Sequence, residues 1–120
     1  MRYIMGGILL VILSGPGEFE RARQGLRVAR NLKRGRMVDH VRVFFLGPGV
    51  QLLDRDNPIY PMVESFLKSL RELDIPTSAC AGNLKVYRID EKLDKNLVIA
   101  DDAAAVFAEA IAEAFTIASF

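Results

Sequence analysis

Eight consecutive residues near the start of the chain, Gly6-Gly7-Ile8-Leu9-Leu10-Val11-Ile12-Leu13, are apolar, and most carry branched side chains. A strand with one solvated face alternates apolar and polar residues, whereas a strand covered on both faces does not. The run therefore predicts a strand buried on both faces, in a parallel sheet covered by helices. Arg2 followed by the apolar stretch Ile4–Leu13 has the charge order of a signal peptide. However, Ser14-Gly15-Pro16-Gly17 supplies no small-residue cleavage pattern, and the stretch is too short to span a bilayer. It reads as a core strand, with no membrane partner expected.

Further elements follow in alternation. Ser14-Gly15-Pro16-Gly17 ends the first strand. A helix is expected over about Glu18 to Arg34, with Phe19, Ala22, Leu26, Ala29 and Leu32 facing inward at helical spacing. Its acids lie in the first turn and its arginines later, as the helix dipole favours, and Gly35 is a natural stop. Val41-Arg42-Val43-Phe44-Phe45-Leu46 is the second strand. Gly47-Pro48-Gly49 behind it repeats Gly15-Pro16-Gly17. Gln51 to Tyr60 reads as a loop or broken helical turn, and a helix follows from Pro61 to Leu73. Its buried stripe is Val63, Phe66, Leu67, Leu70 and Leu73, and Glu64–Lys68 and Lys68–Glu72 are surface pairs.

The third strand is Thr77 to Cys80, led in by Pro76. A short helix over about Leu84 to Ile89 is expected next, with Asn83 as N-cap. Asp90 to Lys95 is polar. Asn96 to Ala100 is the fourth strand, and Asp101 or Asp102 caps a last helix to about Ala114. Val106, Phe107, Ala110 and Ile111 of that helix are expected to face inward, and Phe115 to Phe120 is the fifth strand. Strands alternating with helices predict one three-layer α/β/α domain over residues 1–120, with a mostly parallel five-stranded sheet and flavodoxin-like layering.

Composition narrows the function classes. A chain of 120 residues, 51% of them hydrophobic, can fill one core. The net charge of +1 argues against a general nucleic-acid binder. That charge is unevenly spread. Residues 1–50 hold nine Lys/Arg against three Asp/Glu, a balance of +6, and residues 51–120 hold seven against twelve, a balance of −5. Part of the positive charge is a stripe on the first helix, Arg23, Arg27, Arg30 and Arg34, which reads as a solvated face. An acidic partner, RNA or pairing between subunits would be its other uses. The single cysteine precludes an internal disulfide and suits a reducing cytoplasm.

That cysteine, Cys80, is the one candidate nucleophile. It falls at the carboxyl end of a predicted parallel strand and ahead of a helix start, where a thiol can be shifted from about 8.5 towards neutrality. Lys85 and Arg88 could add positive charge. The competing reading is a small buried core residue. The two Gly-Pro-Gly turns would share the same carboxyl edge, where open α/β proteins place ligands. As a phosphate or flavin cradle they are poor, because Pro16 and Pro48 lack N–H groups and Glu18 and Glu20 repel anions. No cofactor is expected. Asp54 and Asp56 lack a third ligand, so no metal is expected either. His40 precedes the second strand on the amino side, away from Cys80.

The order of elements, the glycine turn after the first strand, and Val41–Val50 followed by an acidic loop resemble the DsrE/DsrF-like family of sulfur-relay proteins. Ile75-Pro76-Thr77-Ser78-Ala79-Cys80-Ala81-Gly82-Asn83-Leu84-Lys85 is similar to that family's cysteine segment. One departure is that a glycine often found directly after the cysteine stands one residue later, at Gly82. The resemblance implies that Cys80 accepts a sulfane sulfur as a persulfide and passes it on. Partners would be sulfur donor and acceptor proteins, and the chain would form a homotrimer or homohexamer. The backbone N–H groups of Ala81, Gly82 and Asn83 would steady the anion, with Gly15, Pro16, Gly17, Gly47, Pro48 and Gly49 walling the pocket. The alternative is a non-catalytic oligomeric binding or scaffold subunit of the same fold.

Overall fold

The computed structural model describes residues 6–120; Arg2 and Ile4, which entered the targeting argument, lie outside them. Five parallel strands form one sheet in the order β4-β3-β2-β1-β5. They are β1 (Gly7–Ile12), β2 (His40–Phe45), β3 (Thr77–Cys80), β4 (Ile99–Asp101) and β5 (Thr116–Ser119). The helices are α1 (Phe19–Arg34), α2 (Tyr60–Glu72), α3 (Ala81–Val86) and α4 (Ala103–Ala112). The apolar run is an interior strand, β1, paired with β2 and with the edge strand β5, and it is covered on both faces as its pattern requires: Leu9, Leu10 and Ile12 are fully buried and Val11 nearly so.

Strand residues alternate between two cores. Leu10, Ile12, Val43, Phe45 and Ala79 pack with Ala22, Leu26 and Ala29 of α1, with Val63, Leu67 and Leu70 of α2, and with Leu84 of α3. Leu9, Val11 and Phe44 point the other way and meet Val106 and Ala110 of α4, with Phe107 set edge-on to Phe44 at 6.1 Å. Topology explains the asymmetry. The chain steps outward from β1 to β4, and α4 must then carry it back across the sheet to place β5 beside β1. Asp102 starts that helix, its Oδ2 accepting from the Ala105 N–H at 3.0 Å.

Several expectations are corrected. Tyr60 belongs to α2, and a 3-10 segment, Gly47–Leu53, leads into the expected break and buries Val50, Leu52 and Leu53. β4 begins three residues late, because Leu97 and Val98 turn inward and their N–H groups bond to Asp94 O. Ile111 is 69% exposed, since α4 has a sheet on one side only. The short helix starts at Ala81, so Asn83 is not its N-cap; Cys80 is. Of the two predicted pairs on α2, Glu64–Lys68 forms at 3.7 Å among the described residues.

Two substitutions test this packing. The Tyr60 hydroxyl is sealed in the core without a hydrogen-bond partner among the described residues, and burial raises its pKa above the ordinary value of 10.0. The folded state therefore holds this proton more tightly than the unfolded chain does. Its contribution is complete below pH 10 and is lost as pH rises beyond it. Tyr60→Phe should leave urea stability at neutral pH unchanged or raise it by up to about 1 kcal/mol, and should blunt the alkaline loss. Gly49 is the opposite case, because a Cβ there would run into the Ile12 carbonyl. Gly49→Ala should cost about 1–3 kcal/mol in the same measurement.

Candidate functional site

The two Gly-Pro-Gly turns lie side by side on the carboxyl edge. β1 and β2 pair in register from Gly7↔His40 to Ile12↔Phe45, and the Leu46 N–H extends the ladder by donating to Ile12 O at 3.0 Å. The strands thus end level, and the turns that follow must touch. A Cβ on Gly15 would lie 2.9 Å from the Pro48 carbonyl oxygen. Gly47 adopts φ +56, a left-handed conformation that glycine reaches without a steric cost.

The cysteine segment is fastened to the second turn. β3 pairs with β2 from Val43↔Thr77 to Phe45↔Ala79, so Cys80 emerges one strand beyond Gly47. The Gly47 N–H donates to Asn83 Oδ1 at 2.8 Å, joining α3 to the turn across 36 residues of sequence. Asn83 therefore holds the segment in place through its side chain, from within the helix. As N-cap, Cys80 precedes the Ala81, Gly82 and Asn83 N–H groups, which have no acceptor within the helix.

Cys80 is half-buried and its thiol is free. Alternation along β3 turns it to the α4 side, where it packs with the second core near Leu46, Ala103 and Phe107. Its neighbour across the β3–β4 pair is Asp101, whose Oδ1 is engaged by the Asp102 N–H at 2.8 Å. A Cβ on Gly82 would lie 3.9 Å from Cys80 Sγ, so this glycine leaves one flank of the sulfur uncovered.

The predicted site residues are thus joined in sequence along one edge but do not line one chamber. A cavity of about 770 Å³ at the ends of β1 and β5 includes Gly15, Pro16, Gly17 and Pro48. Cys80, Gly47, Gly49, Ala81, Gly82 and Asn83 are not in its lining. Ser14, Gln51 and Phe120 are, and sequence reasoning did not single them out. Ser14 was visible as the last polar residue before the first turn. Gln51 and Phe120 arrive through folding, Phe120 because its carbonyl accepts from the Leu13 and Ser14 N–H groups.

Other candidates have local explanations. Asp54 and Asp56 pair with Lys92 at 3.9 and 3.0 Å and hold its ammonium above its ordinary pKa, while Arg55 donates to Lys92 O. No group of three or more potential metal ligands occurs among the described residues. On α1, Arg23 binds Glu20 at 2.7 Å and holds its carboxyl below the usual range, and Arg30 lies over the Phe66 ring at 5.3 Å. His40 stacks on Phe115 at the amino edge, beside a second cavity of about 600 Å³. No helix among the described residues is long and apolar enough to cross a membrane.

Similarity to known proteins follows the same outline. A search of curated proteins returns no match. Among solved structures, the ychN protein of E. coli superposes with a TM-score of 0.81 at 20% identity, covering 97% of this chain and 100% of that one. The conserved protein of unknown function BT1422 from Bacteroides thetaiotaomicron gives 0.75 at 16% identity, covering 94% of each chain. MTH1491 from Methanobacterium thermoautotrophicum, also of unknown function, gives 0.73 at 16%, covering 96% and 99%. These likenesses establish the fold. The family model for DsrE/DsrF-like proteins matches residues 7–120, from the first residue of β1 to the residue after β5, and the chain belongs to the DsrE/DsrF-like family.

Proposed function

We propose that the protein is a sulfur-relay carrier in which Cys80 holds a sulfane sulfur as a persulfide. The observation that carries the reading is the placement of the sole cysteine as N-cap of α3, half-buried and with one flank left open by Gly82. The Cys80 thiolate attacks the outer sulfur of a donor persulfide. The new S–S bond forms as the donor's S–S bond breaks, and the donor leaves as a thiolate. An acceptor thiolate then attacks the outer sulfur on Cys80, which leaves as a thiolate in turn. No net oxidation occurs, and no second cysteine is needed. The N–H groups of Ala81, Gly82 and Asn83 favour negative charge at the sulfur, and Leu46 and Phe107 limit access of water.

The donor and acceptor are proteins or small thiols that approach the α4 side of the sheet. That side is also the proposed contact between copies of this chain in a homotrimer or homohexamer. The edge strands expose Ile99 and Ile117 there, at 60% and 41%, and Leu13, just after β1, is exposed at 39%. One helix of ten residues cannot cover five strands, and a second copy would remove these side chains from water. The competing reading, a scaffold subunit in which Cys80 fills space, draws support from its packing against the second core.

Incubation with a sulfane-sulfur donor followed by intact mass measurement separates the two. The wild type should gain one sulfur atom and Cys80→Ser none. Failure to load under conditions that load an established carrier leaves only the scaffold. Gly82→Ala should slow loading several-fold without loss of fold, because its methyl reaches the open flank of the sulfur. Ile111→Glu combined with Ile117→Glu should shift native mass spectra from oligomer to monomer. A monomeric wild type would remove that part of the reading.

A further inference from the structure

The cavity between the two Gly-Pro turns and β5 is independent of Cys80 and of sulfur chemistry. It lies where the sheet changes its covering: α1 leaves β1 on one face, and α4 returns to the neighbouring β5 over the other. Crevices of this kind, beyond the carboxyl ends of strands, are where open α/β sheets bind ligands. Its volume of about 770 Å³ falls within the range of small-molecule sites.

Its polar groups are specific. Ser14 lines the cavity, is only 8% exposed, and makes no side-chain hydrogen bond among the described residues. The hydroxyl is not sealed, since Tyr60 Oη is the one buried side-chain polar atom without a partner among the described residues, so Ser14 Oγ can be reached by an occupant of the cavity. Gln51 also lines the cavity, with Oε1 3.2 Å from where a Gly15 Cβ would stand, and its carboxamide too is unpaired among the described residues. The neighbouring Gln24 is different: its amide donates to Glu20 and accepts from Arg27. A carboxamide presents a donor and an acceptor side by side, the complement of a lactam or amidine edge.

The remaining surface defines what surrounds that edge. Leu13, Pro16, Pro48 and Phe120 supply apolar walls. Arg21 and Glu18 face each other at 3.6 Å, so these two side chains offset one another at the mouth. The prolines cannot donate to a phosphate. We propose that this cavity binds an uncharged planar heterocycle with an amide-type edge, of the nucleobase class, with the Gln51 carboxamide reading the edge and the Ser14 hydroxyl completing the contact.

The test titrates the full chain with adenosine, uridine and riboflavin, reading affinity by calorimetry and the melting temperature in parallel. At least one should bind at a single site and raise the melting temperature. Ser14→Ala should weaken that binding roughly tenfold. Gly17→Leu should block it without harm to the fold, because a Cβ at Gly17 meets nothing within 4 Å. Cys80→Ser should bind as the wild type does. The proposal is overturned if none of the three binds the wild type. It is equally overturned if binding survives both Ser14→Ala and Gly17→Leu, or is lost in Cys80→Ser.

Discussion

The Ile12 carbonyl is the point on which the carboxyl edge depends. It accepts the last ladder hydrogen bond from Leu46, and Gly49 closes over it so tightly that no side chain fits. The first contact fixes where β2 ends relative to β1. The second fixes the path of the chain after β2, since any other residue at Gly49 would push the 3-10 segment off the sheet. With that segment seated, Val50, Leu52 and Leu53 reach the core, and Gly47 turns its N–H towards Asn83. The position of Cys80 is thus inherited from a backbone contact two strands away. It follows from register, with no direct bond to the cysteine side chain needed.

The sheet's two faces are covered unequally, and the surface proposed for function lies on the less covered side. α1, α2, α3 and the 3-10 segment bury one face and leave little of it to solvent. The other face has α4 alone, a helix built mostly of alanine that presents Val106, Phe107 and Ala110 to Leu9, Val11 and Phe44. Small side chains let α4 lie close to the sheet, but they also make it narrow. Isoleucines at both sheet edges remain in water as a direct result. A cysteine on the crowded face would have been sealed; on this one it is only half covered.

Much of this was legible in the sequence because it rests on local pattern. The two-faced apolar run, the 3.6-residue stripes of α1 and α2, and the strand ending at Cys80 all stand where periodicity puts them. What was not legible depends on which elements meet. Asn83 has the chemistry of an N-cap, and only the nearness of Gly47 shows that its carboxamide serves another turn. Ile111 continues an apolar stripe, and its exposure follows from the absence of a second helix beside α4. Leu97 and Val98 look like strand residues, but the Asp94 carbonyl draws their N–H groups into a turn. In each case a tertiary partner outweighed a local preference of at most about 1 kcal/mol.

The twin Gly-Pro-Gly turns show the same division between composition and placement. As peptides they are equivalent, and both close a strand. In the fold they diverge, because β1 has the edge strand β5 on its far side, whereas β2 has β3. The first turn therefore borders a cavity roofed by the end of β5, with Ser14 and Gln51 in its lining. The second is filled by α3 and spends its N–H on Asn83. The sulfur site proposed at the end of β3 and the cavity beside β1 can then coexist on one edge. The rigid pair of turns between them separates the two, so a ligand seated beside β1 need not cover the thiol at the end of β3.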